Sequence, residues 1–597
     1  MNSCLSAQYR KTTQKLLPRQ PFATESTSYD LYPTFPVAPD VIGRGFDKIA
    51  ERIIGHRKVR IDGYVGVFWN HFRQALEQAC TDKRITTTWV DVSEAYRDPD
   101  AIAALTEPFL GGNDPLFGKR CDRQLAEFFD TARLESICLA ESVDCTILFG
   151  CGAGLVEWDG PLVYVDLPKN EIQYRSRAGA VHNLATDSPT SPKQQYKRFY
   201  FVDWPVLNRH KVELINQIDW FVDEQRPDDP TIISGEELRH ALRLMSRNVL
   251  RVRPWFEPGP WGGQWIKQLV PQLPQELPNY AWSFELISPE NGLIFSDGDH
   301  LLEVSFDWLM YHNAKEILGE CADRFGYEFP IRFNFLDTFD GGNLSVQCHP
   351  QTDYIRERFG ESFTQDETYY ILDCKPGAKV YLGFAENFSR EEFYGALESS
   401  ATRKTRLNVE RYVNVETVQK HDLILIPNGT VHCSGVDNLV LEISATPYVF
   451  TFKMYDWLRM DLDGRPRTLN IQRAFENLLF DRKGSCIAEQ FVSHPIEIES
   501  GADWRLVHLP THGEHFYDVH RFEFDNEVTA RTAGSPHVMT LVEGTSVVVE
   551  TAHGMRQRFH YAETFVVPSA AKSYRLINEG PERALVIKAF VKSPPTA

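Results

Sequence analysis

Residues 343–372, NLSVQCHPQTDYIRERFGESFTQDETYYIL, constrain the fold of this chain more than any other stretch. Apolar and polar residues alternate through LSVQCHP, the period of a half-buried β-strand, so the side chains of Gln347 and His349 leave one face together. After a polar, turn-rich insert, Glu367 opens a second strand, TYYIL, and His432 belongs to a later strand that follows the turn Pro427-Asn428-Gly429. Three strands are expected to bring two imidazoles, one carboxylate and one neutral amide around a single cation. That donor set suits a borderline divalent metal, most simply zinc, with a position left open for water or substrate. Read singly, each residue is an ordinary polar group at a sheet rim; in this order on successive strands they make a ligand set.

The blocks LSVQCHP, ETYYIL, IPNGTVHCSG and MYDWLRMDLDGRPRTLNI occur in the order found in the type I mannose-6-phosphate isomerases, which they resemble. Those are zinc-dependent cupin enzymes with the pattern LSxQVHPD, a glutamate after a short insert, and IPxGTxHA. The resemblance spans roughly residues 250–597 and leaves the first two-fifths of the chain unaccounted for. It implies two mainly-β cupin (jelly-roll) barrels with helical insertions and one Zn2+ held by Gln347, His349, Glu367 and His432. It also implies interconversion of mannose 6-phosphate and fructose 6-phosphate through an enediol.

The stretch LEISATPYVFTFKMYDWLRMD brings Glu442, Lys453, Asp456 and Arg459 into one extended region, and Lys453 and Glu442 are the expected catalytic residues. Lys453, in TFKMYDW, stands where the family has an arginine before YDW. Lysine keeps the charge but loses the planar fork, which weakens a bidentate grip on an oxyanion. Glu442 is expected to orient a substrate hydroxyl or to pair with Arg459. Gln365 stands where the family has a lysine two residues before its ligand glutamate, and Gln351 where it has aspartate. These departures keep two alternatives open: a catalytically weakened, metal-binding phosphosugar sensor, or an isomerase for a related phosphosugar.

A chain of 597 residues is too long for one hydrophobic core, so several domains are expected. Its net charge of −19, without a basic run, argues against a nucleic-acid partner and gives a phosphorylated hexose no long-range attraction. Any phosphate must be met by local cations. The eleven cysteines are scattered singly and odd in number, as in a reducing compartment. The first residues lack the apolar core of a signal peptide, and no run is long and apolar enough for a membrane span. A soluble, cytoplasmic protein with no membrane partner is expected; its oligomeric state is not legible.

Four segments follow from the patterning. Residues 1–45 are polar and proline-punctuated, an arm over the first domain. Residues 46–245 alternate strands with helical stretches, the signature of an α/β domain. Its turn Gly63-Tyr64-Val65-Gly66 resembles the start of a uridine-kinase-type P-loop. Phe68, Trp69 and Asn70 stand where that loop needs a second glycine, lysine and a hydroxyl, so a degenerate, inactive P-loop-kinase-like domain is expected. A second glycine-rich turn, at 150–160, carries no recognisable chemistry. Ser234 is a helix cap at the boundary.

Residues 246–485 are the expected metal-binding cupin domain. The helix within DWLMYHNAKEILGECADRFG is expected against its sheet, and a charged helical insertion near 389–410 carries the basic residues Arg403, Lys404 and Arg406. Residues 486–597 are the expected C-terminal cupin domain, lacking metal ligands: Ser573 follows Pro568 where His432 follows Pro427. His508, His512, His515 and His520 cluster there in sequence, and a structural role is expected for them.

Overall fold

The computed structural model describes residues 9–22, 28–137, 144–461 and 464–592. The chain divides into two compact units, and not contiguously. The first comprises residues up to 25, 32–246 and Pro289–Ala314; the second comprises Ser26–Leu31, Arg247–Ser288 and Lys315–Ala597.

The first unit is built on a seven-stranded sheet. Five parallel strands lie in the order Thr87–Asp91, Cys145–Phe149, Lys58–Gly63, Leu162–Asp166, Trp220–Asp223, and Thr231–Ser234 adds antiparallel beyond them. The central strand Lys58–Gly63 runs into the glycine turn and then the helix Trp69–Asp82, as the sequence pattern requires. Gly63 is obligatory, because a Cβ there would lie 2.4 Å from the carbonyl oxygen of Val165. The turn is filled by its own side chains. Tyr64, Val65, Val67 and Phe68 are buried. The Phe68 N–H donates to Glu224 Oε1 at 3.4 Å, and Arg175 bonds both Gly66 O at 2.8 Å and Glu224 Oε2 at 2.5 Å. The second glycine turn has a structural purpose: the N–H groups of Gly152 and Gly154 donate to the buried carboxylate of Asp62 at 2.9 and 2.7 Å.

One expectation about domain membership is corrected. The first part of the helix Phe306–Leu318 belongs to the first unit rather than to the metal-binding domain. Trp308 Nε1 donates to the buried Asp166 carboxylate at 2.6 Å, which also receives Lys211 at 2.7 Å. A buried carboxylate must be paired and hydrogen-bonded, and here a tryptophan from far along the chain completes that requirement.

The second unit contains two pairs of antiparallel sheets. In the first pair, a six-stranded sheet runs Leu423–Ile426, Glu367–Cys374, Asn438–Ala445, Ile331–Asp337, Trp282–Leu286, Trp255–Glu257. The other runs Val413–Thr417, Lys379–Phe384, His432–Ser434, Val346–Cys348, Phe452–Tyr455. The charged insertion is the helix Arg390–Arg403, capped by Ser389, whose Oγ accepts from the Glu392 N–H at 3.2 Å; Arg403, Lys404 and Arg406 are exposed. In the second pair, the sheet containing Tyr517–Phe524 and Ala584–Val591 faces the four-stranded sheet containing Ser546–Thr551 and Ser573–Asn578. Phe522, Met539, Val586, Val547, Phe559 and Leu576 fill the space between them.

Candidate metal centre

Register brings the predicted ligands together. Gln347 pairs with His432 on one side and with Lys453 on the other, so these three side chains stand in a row on one face of the five-stranded sheet. Glu367 comes from the facing sheet, where it pairs with Ile426 and Ser444. His349 follows directly on the strand Val346–Cys348.

His349 Nε2 lies 2.6 Å and His432 Nε2 3.2 Å from the same oxygen, Glu367 Oε2. The two rings are 5.0 Å apart. His349 is 1%, Glu367 1% and His432 0% exposed, so the cluster is shielded from bulk water. Behind them, His349 Nδ1 donates to Phe450 O at 3.2 Å and His432 Nδ1 to Thr430 O at 3.0 Å. Carbonyl oxygens only accept, so each neutral ring carries its proton on Nδ1 and presents a bare Nε2. Two acceptor nitrogens and an ionised carboxylate then face one another, an arrangement that requires a cation or an added proton between them. Burial alone would raise the Glu367 carboxyl; with the added proton on the imidazoles, His349 and His432 hold it well below the usual carboxylate range. The donor chemistry therefore fits a divalent metal.

Gln347 joins the cluster through its amide: Nε2 lies 3.3 Å from His432 Nε2, and Oε1 accepts from Ser345 at 2.8 Å. Cys348 and Cys433, adjacent to ligands in sequence, are buried, and burial pushes both thiols up, in keeping with packing roles.

The turn that delivers His432 is pinned on three sides. Asp366 accepts from the backbone N–H of Asn428 at 2.9 Å and from its side chain at 3.0 Å; burial pushes this carboxyl up to about 6. Gly429 donates its N–H to His349 O at 2.9 Å with φ of 76°, and a Cβ there would lie 2.8 Å from Asn477 O, so only glycine fits. Arg482 binds Pro427 O at 3.1 Å, Asn428 O at 2.7 Å and Thr430 Oγ1 at 2.5 Å, and reaches Glu514 at 2.6 Å.

Glu442 is placed differently from expectation. Its partner is Arg332, not Arg459, which instead pairs with Asp456 at 2.5 Å. Asn334 donates to Glu442 Oε2 at 3.0 Å and Ser444 to Oε1 at 2.8 Å, so both carboxylate oxygens are engaged. The reason is register: Asn334 stands opposite Glu442 and Arg332 opposite Ser444. Burial raises the Glu442 carboxyl, Arg332 opposes that rise, and the nearby Glu367 adds to it.

Arg332, Asn334 and Tyr369 are site residues that the sequence did not single out. Tyr369 stands opposite Glu442 in register, with its ring 5.9 Å from that of His432. With its amide turned so that the oxygen faces the guanidinium, Gln365 accepts from Arg332 Nη2 at 3.0 Å and donates to Pro447 O at 3.1 Å. A positive charge thus sits beside the position where the resemblance has a lysine.

In the C-terminal sheet pair, His508, Asp518 and His520 also come together, where no ligand set was expected.

Comparison with known proteins gives four findings. A family model described as a domain of unknown function, DUF8485, matches residues 45–247. The chain is similar to mannose-6-phosphate isomerase ManA of Bacillus subtilis, 25% identical over 232 residues, 39% of this chain and 68% of that protein. It is also similar to the mannose-6-phosphate isomerase of Streptococcus mutans, 24% identical over 319 residues, 53% of this chain and 90% of that protein. Among solved structures, the mannose 6-phosphate isomerase from Bacillus subtilis aligns with a TM-score of 0.46 at 18% identity, covering 57% of this chain and 99% of that one.

Proposed function

We propose that this chain is a metal-dependent aldose–ketose isomerase that interconverts mannose 6-phosphate and fructose 6-phosphate, and that its second unit is a pair of cupin-type barrels. The carrying observation is the convergence of His349 Nε2 and His432 Nε2 on Glu367 Oε2, with both Nδ1 atoms anchored to carbonyl oxygens. The names of proteins to which the chain is similar support the substrate.

In this reading Gln347, His349, Glu367 and His432 hold one divalent ion, zinc by donor type. When bound, that ion supplies a Lewis acid for the carbonyl and enediol oxygens of the sugar. The single carboxylate leaves the ion net positive. Lys453, beside Gln347 on the same face, presents an ammonium to the developing oxyanion. Glu442 has both oxygens engaged, so its role is to fix Arg332 and Asn334 against the site rather than to act as base. The buried walls around the cluster exclude water from the enediol.

In the first unit the central parallel strand runs into a glycine turn packed by Phe68, Arg175 and Glu224. We read this unit as a kinase-like domain without nucleotide chemistry. No helix among the described residues is long and apolar enough to cross a membrane. A cytoplasmic setting goes with this reading, since the cysteines described are unpaired.

The hydrogen bond of Gln365 to Arg332, in place of a lysine, favours the second reading, a phosphosugar sensor. A coupled assay with mannose 6-phosphate, with and without chelator, separates the two. Chelator-sensitive formation of fructose 6-phosphate supports the isomerase; tight metal binding without conversion supports the sensor.

A further inference from the structure

The C-terminal sheet pair holds a second convergence of imidazoles and a carboxylate on its inward face. His508 and His520 stand directly opposite each other on the strands Trp504–Leu509 and Tyr517–Phe524, their rings 5.1 Å apart. Asp518 is two residues before His520 and shares its face, and His508 Nε2 lies 2.9 Å from Asp518 Oδ2. One ligand-type atom from each of the three lies within 4.8 Å of the others. The same alternation places Phe522 and Phe524 in the core between the sheets, so the cluster lines the inner wall at one end.

Two features distinguish it from an ordinary His–Asp pair. Asp518 is held from behind: its Oδ1 accepts from Thr511 Oγ1 at 3.2 Å and from the Val519 N–H at 3.1 Å, leaving Oδ2 toward the imidazoles. His520 Nδ1 is buried with no hydrogen-bond partner among the described residues.

We propose that His508, Asp518 and His520 form a second divalent-cation site, independent of the His349–Glu367–His432 centre. Two imidazoles and one carboxylate suit a first-row transition ion with positions left open. Lys588, opposite His520 in register, tunes it. Its ammonium lies over the rings of Phe590 at 4.7 Å and Phe522 at 5.1 Å, and a bound dication opposes that charge, so Lys588 weakens the site.

The test uses full-length protein stripped with chelator and titrated with Zn2+ and Co2+, with bound metal counted by mass spectrometry and Co2+ coordination followed by visible absorption. The wild type is expected to bind two equivalents. Asp518→Asn, which preserves shape, and His520→Ala each remove one equivalent. His349→Ala removes the other, and His553→Ala removes neither. Lys588→Met tightens the second equivalent ~10-fold. A single equivalent in the wild type that survives both Asp518→Asn and His520→Ala overturns the proposal. A single equivalent that both variants abolish upholds it while removing the first centre.

Discussion

Replacing Arg332 by methionine leaves the Glu442 carboxylate buried without its cation and close to the Glu367 carboxylate. Removing one partner of a buried ion pair costs ~3–5 kcal/mol. Asn334 and Ser444 still donate to Glu442, so the lower end, ~3 kcal/mol, is expected, because charge-assisted hydrogen bonds retain ~1.5–3 kcal/mol each. With a urea slope of ~3 kcal/mol/M, the unfolding midpoint of the second unit falls by ~1 M. The double variant Arg332→Met/Glu442→Leu removes both charges and should regain at least half of the loss.

The pH dependence has a defined sign. In Arg332→Met the folded-state pKa of Glu442 lies above its unfolded value. The penalty is therefore complete above that raised pKa and disappears as pH falls below the unfolded value of ~4.3, so the deficit narrows from pH 8 to pH 5. Glu367 has a depressed folded pKa and loses stability as pH falls, but it does so in both proteins and cancels from the difference. Urea titrations of chelator-treated protein at both pH values provide the measurement. A single variant within ~0.5 kcal/mol of wild type, or a double variant no more stable than the single one, would refute the reasoning.

Lys453→Ala should lower turnover of mannose 6-phosphate by ~10²-fold while leaving metal content unchanged, and Lys453→Arg should retain most activity; coupled kinetics with metal analysis checks both. Arg482→Ala frees the turn before His432 and should weaken metal affinity by ~10–100-fold, read by competition with a chromogenic chelator. ATP with Mg2+ should leave the melting curve of the full chain unmoved, because Phe68 and the Glu224–Arg175 pair fill the glycine turn; a saturable upward shift would contradict that.

The residues of the cluster are legible because each carries a local signal: Gln347 and His349 share a strand face, Glu367 opens a strand after an insert, and His432 follows a glycine turn. Their meeting depended on register, which local pattern leaves open. Arg332 and Asn334 lie in IRFNFLD, a strand buried along its whole length, where polar residues give no periodic cue until pairing sets Asn334 against Glu442. For the same reason Arg459, near in sequence, was the wrong partner for Glu442. The excursion of Pro289–Ala314 into the first unit is illegible because it rests on partners far away in the chain, the pairing of Gly292–Ser296 with Thr34–Pro36 and the bond of Trp308 to Asp166. His508, Asp518 and His520 were visible as residues but not as a cluster, since Asp518 gains its meaning only from strand pairing.

Anomalous scattering at the metal absorption edge, from crystals of the full chain grown with Zn2+, tests the central claim most directly. The account predicts a peak bonded to His349 Nε2, His432 Nε2 and Glu367, with the Gln347 amide turned to offer its oxygen. No peak among these four side chains, with His349 and His432 instead sharing a proton with Glu367, would contradict it.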